Sequence, residues 1–419
     1  MTRTVLELYN SLTRTIEPFE PMEEGTVKMF TCGPSIYQRP HIGNYRTYLF
    51  EDVLQRYLEY IGYKVIRALN FTDVEEKSIQ EAQKRQLDLL EWTEQCGRVF
   101  FNELELLRVK PPTYNPKSST SIEEAVRLIQ ELLKTGHAYW YKGNVYFDPL
   151  SFKGFGKLAH LDLSRWPRIK KRLHKDTYTG NRWNLGDFIL WHGYKKGDTV
   201  YWDTAIGRGR PAWNVQDPAM ALQTLRASLD IYCGGEDNLV RHHDYTIAVA
   251  ESVTGKPLAR YWLHGAHLLV EGKKMSKSRG NVIYLTDLLK AGYTPEDIRF
   301  FLIYGHYRRR LNFTYEALKR SSEQLKQARE MIAIIQHAGA TVRESDGTVE
   351  ELVGRLKHDF EKNMDDDLKV KKAFDELVHT LARLTRLARM DKVSSTDAQR
   401  IIKTLETIDR VVQVFQLAH

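Results

Sequence analysis

The chain has 419 residues, with 62 Lys and Arg against 54 Asp and Glu, for a formal net charge of +8. The length predicts several domains, and 42% hydrophobic with 28% charged residues exclude disordered, collagen-like and low-complexity classes. No apolar run approaches the ~20 residues of a membrane helix, no signal-peptide core is present, and three cysteines are too few for a disulfide framework. We therefore expect a cytoplasmic protein without a membrane partner.

The N-terminal part of the chain has the pattern of a parallel α/β sheet. Residues Thr26–Cys32 are predicted as a strand, Asn44–Ile61 as an amphipathic helix and Tyr63–Leu69 as a second strand. Strand, helix and strand in so short a stretch indicate a βαβ unit. Helices are then predicted over Ile79–Leu107 and Ser121–Lys134.

The middle of the chain returns to strands, and the last part is helical. A β-rich excursion begins at Gly143–Pro149, and strands are predicted again at Ser228–Tyr232 and Arg260–Val270, with a helix over His243–Thr254 between them. From Tyr315 onward the apolar residues recur at helical spacing. The sequence thus predicts an α/β domain split by an insertion and followed by an all-helical tail.

The positive charge is concentrated in the insertion. Ser151–Trp183 carries nine basic and two acidic residues, a net of +7, whereas Glu316–His419 is neutral. Arg165–Arg172 interleaves an aromatic residue with cations, a composition suited to phosphate and base contacts. We predict an anionic acceptor at this segment, although a solvated loop would have a similar composition; the predicted acceptor-binding residues are Arg168, Lys170, Lys171 and Arg172.

Two motifs are suited to binding a nucleoside triphosphate. His41-Ile42-Gly43-Asn44 opens the first predicted helix, where free backbone N–H groups and a partial positive charge favour phosphate. In the stretch Lys273–Asn281, lysines flank small hydroxyl residues on a predicted loop. Such a loop can stabilise a pyrophosphate leaving group. The two motifs together are far more specific than a helix cap or a basic loop alone.

With these two motifs, the sequence resembles the class I aminoacyl-tRNA synthetases, and in particular the cysteinyl-tRNA synthetase family. The resemblance extends over nearly the whole chain. The further stretches that carry it are Thr31–Tyr37, Asn70–Val74, Gly186–Trp191, Gly234–Asp237, His242-His243, Arg299–Phe313 and Met364–Asp367. It implies a Rossmann-type parallel-sheet catalytic domain split by an insertion, followed by an all-α helical bundle. The implied domains are the first catalytic half 1–108, the connective insertion 109–200, the second catalytic half 201–270, a mobile-loop and stem-contact region 271–318, and a bundle 319–419 without a separate anticodon-binding module.

The resemblance implies a ligase that uses ATP and Mg²⁺ to form an aminoacyl-adenylate and pyrophosphate before acyl transfer to an acceptor. The catalytic residues would be His41, Asn44, Lys274 and Lys277. The remaining ATP-binding residues would be Gly43, Gly235, Asp237, Ser276 and Ser278. The amino-acid pocket would be formed by Cys32, Thr72, Trp213, Asp217, His242 and Thr246.

The predicted amino-acid pocket departs from the family pattern. Family members bind zinc, and through it the substrate thiolate, with two Cys, one His and one Glu. This chain keeps Cys32 and His242, but Asp217 replaces the second Cys and Thr246 replaces the Glu. We therefore expect zinc to be absent and Asp217 to favour an amino acid with a polar or cationic side chain.

A zinc site stays open as an alternative, because a Cys/His/Asp set with an open position is chemically reasonable. Zinc would then be bound by Cys32, Asp217 and His242, with His243 or Asp244 as a further ligand.

Three functions follow from these features. The altered pocket and the end of the chain at Phe415–His419, near where an anticodon module would begin, favour an adenylate-forming ligase whose acceptor is a small molecule or carrier. The basic insertion favours the alternative, a tRNA-charging enzyme for cysteine or another amino acid. A catalytically silent paralogue is the third possibility, and the intact ATP motifs argue against it.

Overall fold

The computed structural model describes residues 5–162, 187–239, 241–276, 279–338 and 347–417. Strands and helices are numbered in chain order. The strands are β1 (Glu7–Asn10), β2 (Thr15–Pro18), β3 (Thr26–Thr31), β4 (Lys64–Leu69), β5 (Ala138–Tyr141), β6 (Asn144–Phe147), β7 (Phe188–Gly193), β8 (Trp202–Thr204), β9 (Gly207–Pro211), β10 (Leu229–Gly235), β11 (Ala259–Gly265), β12 (Leu268–Val270), β13 (Lys273–Lys274) and β14 (Leu311–Phe313). The helices are α1 (Ile42–Tyr60), α2 (Glu76–Arg85), α3 (Leu89–Leu106), α4 (Ile122–Lys134), α5 (Trp213–Thr224), α6 (Glu236–Leu239), α7 (His242–Thr254), α8 (Leu285–Lys290), α9 (Pro295–Ile303), α10 (Tyr315–Gln336), α11 (Gly347–Asp365), α12 (Val370–Arg389) and α13 (Ser395–Val412). Within the described ranges, no helix combines the length and apolar character needed to cross a membrane.

A four-stranded parallel sheet with the order β11-β10-β3-β4 forms the centre of the catalytic part. Successive side chains of a strand enter opposite cores: Met29 and Ile231 pack on the side of α1, whereas Phe30 and Tyr232 pack on the side of α5 and α7. Both faces of the sheet are therefore covered, as parallel sheets require. The arrangement confirms the expected α/β class.

The insertion forms a separate antiparallel sheet with the order β5-β6-β7-β9-β8. It continues through β9 to Pro211, past the expected boundary at residue 200. A smaller sheet, β13-β12-β14, pairs the β12–β13 hairpin that leads into the lysine-rich loop with β14, which follows α9.

The helical bundle α10–α13 is joined to the catalytic part by buried charges. Arg299 on α9 donates to Asp52 Oδ2 on α1 at 2.6 Å, and both side chains are fully buried. The same guanidinium donates to the carbonyls of Leu107 and Val412, the latter on α13. One arginine therefore links α9, the end of α3, α1 and the bundle.

Two predicted elements differ from the structure. The expected helix Ile79–Leu107 is wrong as a single element, because Gln86 takes a left-handed conformation (φ 56°) that ends α2, and Asp88 then caps α3 by accepting from the backbone N–H of Leu90 at 2.8 Å. The expected strand Arg260–Val270 is also two elements, because β11 ends at Gly265 and β12 begins at Leu268. Asp217 lies in the first turns of α5.

Candidate functional site

The predicted site residues meet at the carboxyl ends of the parallel strands. β3 ends just before Cys32, β4 ends before Thr72, and β10 ends at Gly235, so the residues at these strand ends share one edge of the sheet. A cavity of about 540 Å³ opens there. Its lining includes these predicted residues: Cys32, His41, Gly43, Asn44, Thr72, Trp213, Asp217, Gly235, Asp237, His242 and Lys274.

The N terminus of α1 forms one wall of the cavity. The side-chain Oδ1 of Asn44 accepts from the backbone N–H of His41 at 3.0 Å, which fixes the turn. Within the described residues, Nδ1 of His41 is buried without a hydrogen-bond partner, and burial lowers the pKa of this imidazole. A Cβ on Gly43 would lie 3.3 Å from Met275 Cε, so glycine permits the close approach of the two motifs. The wall thus offers a neutral imidazole and a helix N terminus to a ligand.

The lysine-rich loop forms the opposite wall. Lys274 and Met275 line the cavity, and Lys274 is exposed. Asn281 secures the loop by accepting from the backbone N–H of Ser276 at 2.9 Å and donating to the carbonyl of Lys274 at 3.3 Å. Ser276 lies beside the cavity and is not part of its lining. Of the predicted phosphate-binding groups on this loop, Lys277 and Ser278 lie outside the described residues.

The end of β10 borders the third side. A Cβ on Gly235 would lie 2.6 Å from Asp237 Oδ1, so this carboxylate lies directly against the glycine. Next to it, Glu236 accepts from the backbone N–H of His267 at 3.1 Å and from Arg310 at 3.3 Å. A glycine beside the Asp237 carboxylate provides a flat surface and an acceptor for hydroxyl groups.

The predicted amino-acid pocket contains a compact group of three side chains from different elements. Cys32 Sγ donates to Asp217 Oδ2 at 3.3 Å, His242 Nε2 lies 2.9 Å from the same oxygen, and Cys32 Sγ is 3.5 Å from His242 Nε2. Asn70 donates to the other carboxylate oxygen, Oδ1, at 2.8 Å. Burial, and then the neighbouring carboxylate of Asp217, raise the pKa of the Cys32 thiol well above its usual range.

The pocket is enclosed by an aromatic wall. The indole of Trp213 stacks on the imidazole of His242, with ring centroids 5.1 Å apart, and fixes its orientation. Thr72 lies beside them in the cavity lining. Thr246 does not line the cavity, because its hydroxyl donates to the carbonyl of His242, one turn back on α7, at 3.0 Å. Thr246 therefore does not replace the ligand that the family has at this position.

The three-residue group fits a zinc ion. Bond lengths of about 2.3 Å to sulfur and about 2.0–2.2 Å to nitrogen and oxygen place tetrahedral ligand atoms roughly 3.3–3.6 Å apart. The separations among Cys32, Asp217 and His242 are 3.3, 3.5 and 2.9 Å, so shifts of a few tenths of an ångström suffice. Asn70 supplies the outer hydrogen bond that commonly orients a carboxylate ligand. This spacing weakens the sequence-based reason for expecting no zinc.

The two further ligands considered for such a site differ in position. The carboxylate of Asp244 accepts from the backbone N–H groups of Leu158 and Ala159 at 3.0 and 2.9 Å, and burial raises the pKa of Asp244 to about 6. A nitrogen of His243 lies within 4.8 Å of the Cys32 and His242 ligand atoms, while its Nδ1 is 2.8 Å from His264 Nε2. Asp244 is thus held by the insertion.

Several basic residues of the cavity were not predicted. The lining also includes Arg39, Lys77, Arg241 and His267. The Lys77 ammonium lies 5.2 Å from the ring centroid of Tyr37, another lining residue. None of these residues belongs to either motif, and the only sequence signal was the position of Arg39 two residues before His41. Together they give the cavity a cationic rim suited to a polyphosphate.

The predicted acceptor-binding residues lie outside the described part of the chain. This holds for Arg168, Lys170, Lys171 and Arg172.

Comparisons with known proteins agree with the fold. The family model described as "tRNA synthetases class I (C) catalytic domain" matches residues 18–323. Cysteine--tRNA ligases of Chlamydia pneumoniae and Brachyspira hyodysenteriae are each 37% identical, over 98% of this chain and 87% and 86% of their own lengths. Among solved structures, Mycobacterium tuberculosis methionyl-tRNA synthetase in complex with methionyl-adenylate has a TM-score of 0.65 at 14% identity, covering 93% of this chain and 90% of that one. The ternary complex of Agrobacterium radiobacter K84 agnB2 LeuRS-tRNA-LeuAMS has a TM-score of 0.66 at 10% identity, covering 95% and 86%.

Proposed function

The chain belongs to the cysteinyl-tRNA synthetase family of class I ligases, and we propose that it activates cysteine as its adenylate and transfers the acyl group to tRNA. The observation that carries this proposal is the meeting of His41, Asn44 and Lys274 in one cavity with the Cys32–Asp217–His242 group. The relatives, all named cysteine--tRNA ligases, favour tRNA over the small-molecule acceptor expected from the sequence.

Activation requires positioning and charge stabilisation more than a protein nucleophile. The amino-acid carboxylate attacks the α-phosphate of ATP, bound as its Mg²⁺ complex, and pyrophosphate leaves. The helix N terminus at Gly43 and the neutral His41 ring bind phosphate oxygens, and Lys274 stabilises the charge that develops on the leaving pyrophosphate. Lys277 and Ser278, which follow Lys274 closely in the sequence, are proposed to act with it.

The rest of the adenylate is held by the other walls. Gly235 and Asp237 bind the nucleoside. The glycine leaves room for a flat group, and the carboxylate accepts hydrogen bonds from hydroxyl groups. Trp213 and Thr72 enclose the amino-acid side chain. A bound zinc would be held by Cys32, Asp217 and His242, and would supply a Lewis-acidic position for a substrate sulfur.

In this proposal the acceptor binds to the basic segment of the insertion. Its segment 151–183 carries a net of +7, and the cavity rim adds Arg39, Lys77 and Arg241. Positive charge at both places favours a polyanionic acceptor, and tRNA is the polyanion named for the relatives. The residues Arg168, Lys170, Lys171 and Arg172 are the proposed contacts within that segment.

A second candidate concerns the amino acid alone. Asp217 places a carboxylate where the family has a thiolate ligand, and this carboxylate is bonded to Asn70 at 2.8 Å and to His242 at 2.9 Å. A carboxylate so placed favours an amino acid whose side chain carries a hydrogen-bond donor or a positive charge.

ATP–pyrophosphate exchange with each amino acid, with and without added zinc, tests both candidates. Exchange with cysteine that requires zinc supports the first, and zinc-independent exchange with a polar or cationic amino acid supports the second. Lys274→Ala should abolish most of the exchange, whereas Lys290→Ala, an exposed lysine on α8, should not. Exchange with no amino acid would contradict both candidates and favour the silent paralogue.

A further inference from the structure

Arg46 makes an unusual set of contacts on the side of α1 that faces away from the cavity. Its guanidinium donates to four backbone carbonyls: from Nε to Ala266 at 3.1 Å, from Nη1 to Leu302 at 2.9 Å, and from Nη2 to His306 at 3.1 Å and Arg309 at 2.6 Å. The side chain is only 3% exposed. Four of its five N–H donors are thus used by backbone groups from three separate segments.

No carboxylate of the described residues forms an ion pair with this buried cation. Burial lowers the pKa of Arg46 to about 10, so the guanidinium is still charged near neutral pH. Leu302 lies in the last turn of α9, where helix carbonyls carry a partial negative charge. Carbonyl groups, together with the more distant carboxylate of Glu236, therefore stabilise the charge, and the carbonyls in turn are held in place by it.

The segments that Arg46 joins carry opposite walls of the ATP cavity. Asn44, two residues earlier on α1, lines one wall. Ala266 directly precedes His267 and Leu268, which line the other wall, and β12 continues from Leu268 to the hairpin that ends at Lys274.

The loop that follows α9 reinforces this link. The backbone N–H of Ala266 donates to the carbonyl of Tyr307 at 2.7 Å, and that of Leu311 donates to the carbonyl of His267 at 3.3 Å. Arg46 binds the same loop through the carbonyls of His306 and Arg309.

We propose that Arg46 is a positioning residue that sets the spacing between the N terminus of α1 and the β12–β13 hairpin, and thereby the affinity for ATP. This inference rests on the proposed ATP site. Lysine cannot replace arginine here, because one ammonium group cannot reach carbonyls of three segments that a planar guanidinium reaches at once. A small change in the spacing weakens ATP binding, since the phosphates need both walls at their correct separation.

The experiment compares ATP dissociation constants of the full chain by calorimetry, together with thermal unfolding. Arg46→Lys should weaken ATP binding by roughly tenfold or more. The matched control is Arg299→Lys: this arginine is also buried and also binds backbone carbonyls, but its contact with α1, at Asp52, lies outside the cavity lining. It should lower the unfolding temperature while leaving ATP affinity within about twofold, at a temperature where all variants are folded.

The outcomes separate this inference from the proposed function. ATP affinity of Arg46→Lys within about twofold of the unaltered chain, or an equal loss in Arg299→Lys, would overturn the positioning role. If the unaltered chain binds ATP but supports pyrophosphate exchange with no amino acid, the proposed function fails. The role of Arg46 is then decided by the ATP dissociation constants of the two variants alone.

A second measurement applies if Arg46→Lys does not fold. Hydrogen exchange of the unaltered chain should slow on ATP binding both at the start of α1 and at 266–268, because Arg46 couples the two segments. Slowing at α1 without any change at 266–268 would contradict the coupling.

Discussion

The replacement of Asp217 by asparagine perturbs the amino-acid pocket most selectively. The carboxylate is buried, with Oδ1 accepting from Asn70 at 2.8 Å and Oδ2 bonded to His242 at 2.9 Å and Cys32 at 3.3 Å. Asparagine keeps an oxygen for Asn70 but turns an NH₂ group toward the other two side chains. The pocket thus loses its negative charge and the bond that fixes His242.

The magnitude follows from the strength of one hydrogen bond to a charged group, about 1.5–3 kcal/mol. If that bond orients His242 for the amino acid, kcat/KM for the amino acid should fall by about 10- to 150-fold. The KM for ATP should change little, because Asp217 makes no described hydrogen bond to His41, Asn44 or Lys274.

The assay is ATP–pyrophosphate exchange at varied amino acid and varied ATP. Asp73→Asn is the matched control, since Asp73 is also a buried carboxylate, bonded to Ser119 outside the cavity lining. It should leave kcat/KM for the amino acid within about twofold. An Asp217→Asn variant with unchanged kcat/KM, or with an equal loss for ATP, would refute the assigned role.

Three further results are expected. Burial lowers the pKa of His264 to about 3, so only the unfolded chain takes up this proton as the pH falls through about 6.5. The free energy of unfolding, measured by urea titration, should therefore fall between pH 7 and pH 5. This fall should be about 2 kcal/mol larger in the unaltered chain than in His264→Asn. Arg299→Met should lower the free energy of unfolding by about 1.5–3 kcal/mol, because it removes one of the two arginines, Arg299 and Arg56, that pair with the buried Asp52; when Asp52→Asn is added, the two losses should not add, since both break the same ion pair. Neutralising Lys170–Arg172 should make tRNA binding, measured by filter retention, less dependent on salt. The slope of log binding constant against log salt concentration should become shallower by roughly 0.7–0.9 per lost contact. An unchanged slope would assign these residues to a solvated loop.

The parts of the site that depend on local sequence could be predicted. His41 and Asn44 lie at a helix N terminus because a strand, a glycine and an amphipathic helix follow one another there, and local spacing determines that arrangement. The family and the α/β class could be predicted for the same reason, since the motifs and the βαβ pattern are local features of the sequence. Both predictions are confirmed.

The features that depend on packing could not be predicted. Cys32, Asp217 and His242 come from the ends of β3, α5 and α7, and no local pattern gives their separations of 2.9 to 3.5 Å. Arg46 likewise meets partners 220 to 263 residues away in the sequence. Long-range contacts of this kind are set by how helices and strands pack together, so the sequence indicated the residue types without their distances.

Charging of tRNA tests the central claim most directly. The chain is incubated with ATP, unfractionated tRNA and one labelled amino acid at a time, and acid-precipitable label is counted. Label from cysteine should accumulate on tRNA; Lys274→Ala should lose this transfer, and Lys290→Ala should retain it. Rapid pyrophosphate exchange with cysteine but no label on tRNA would contradict tRNA as the acceptor.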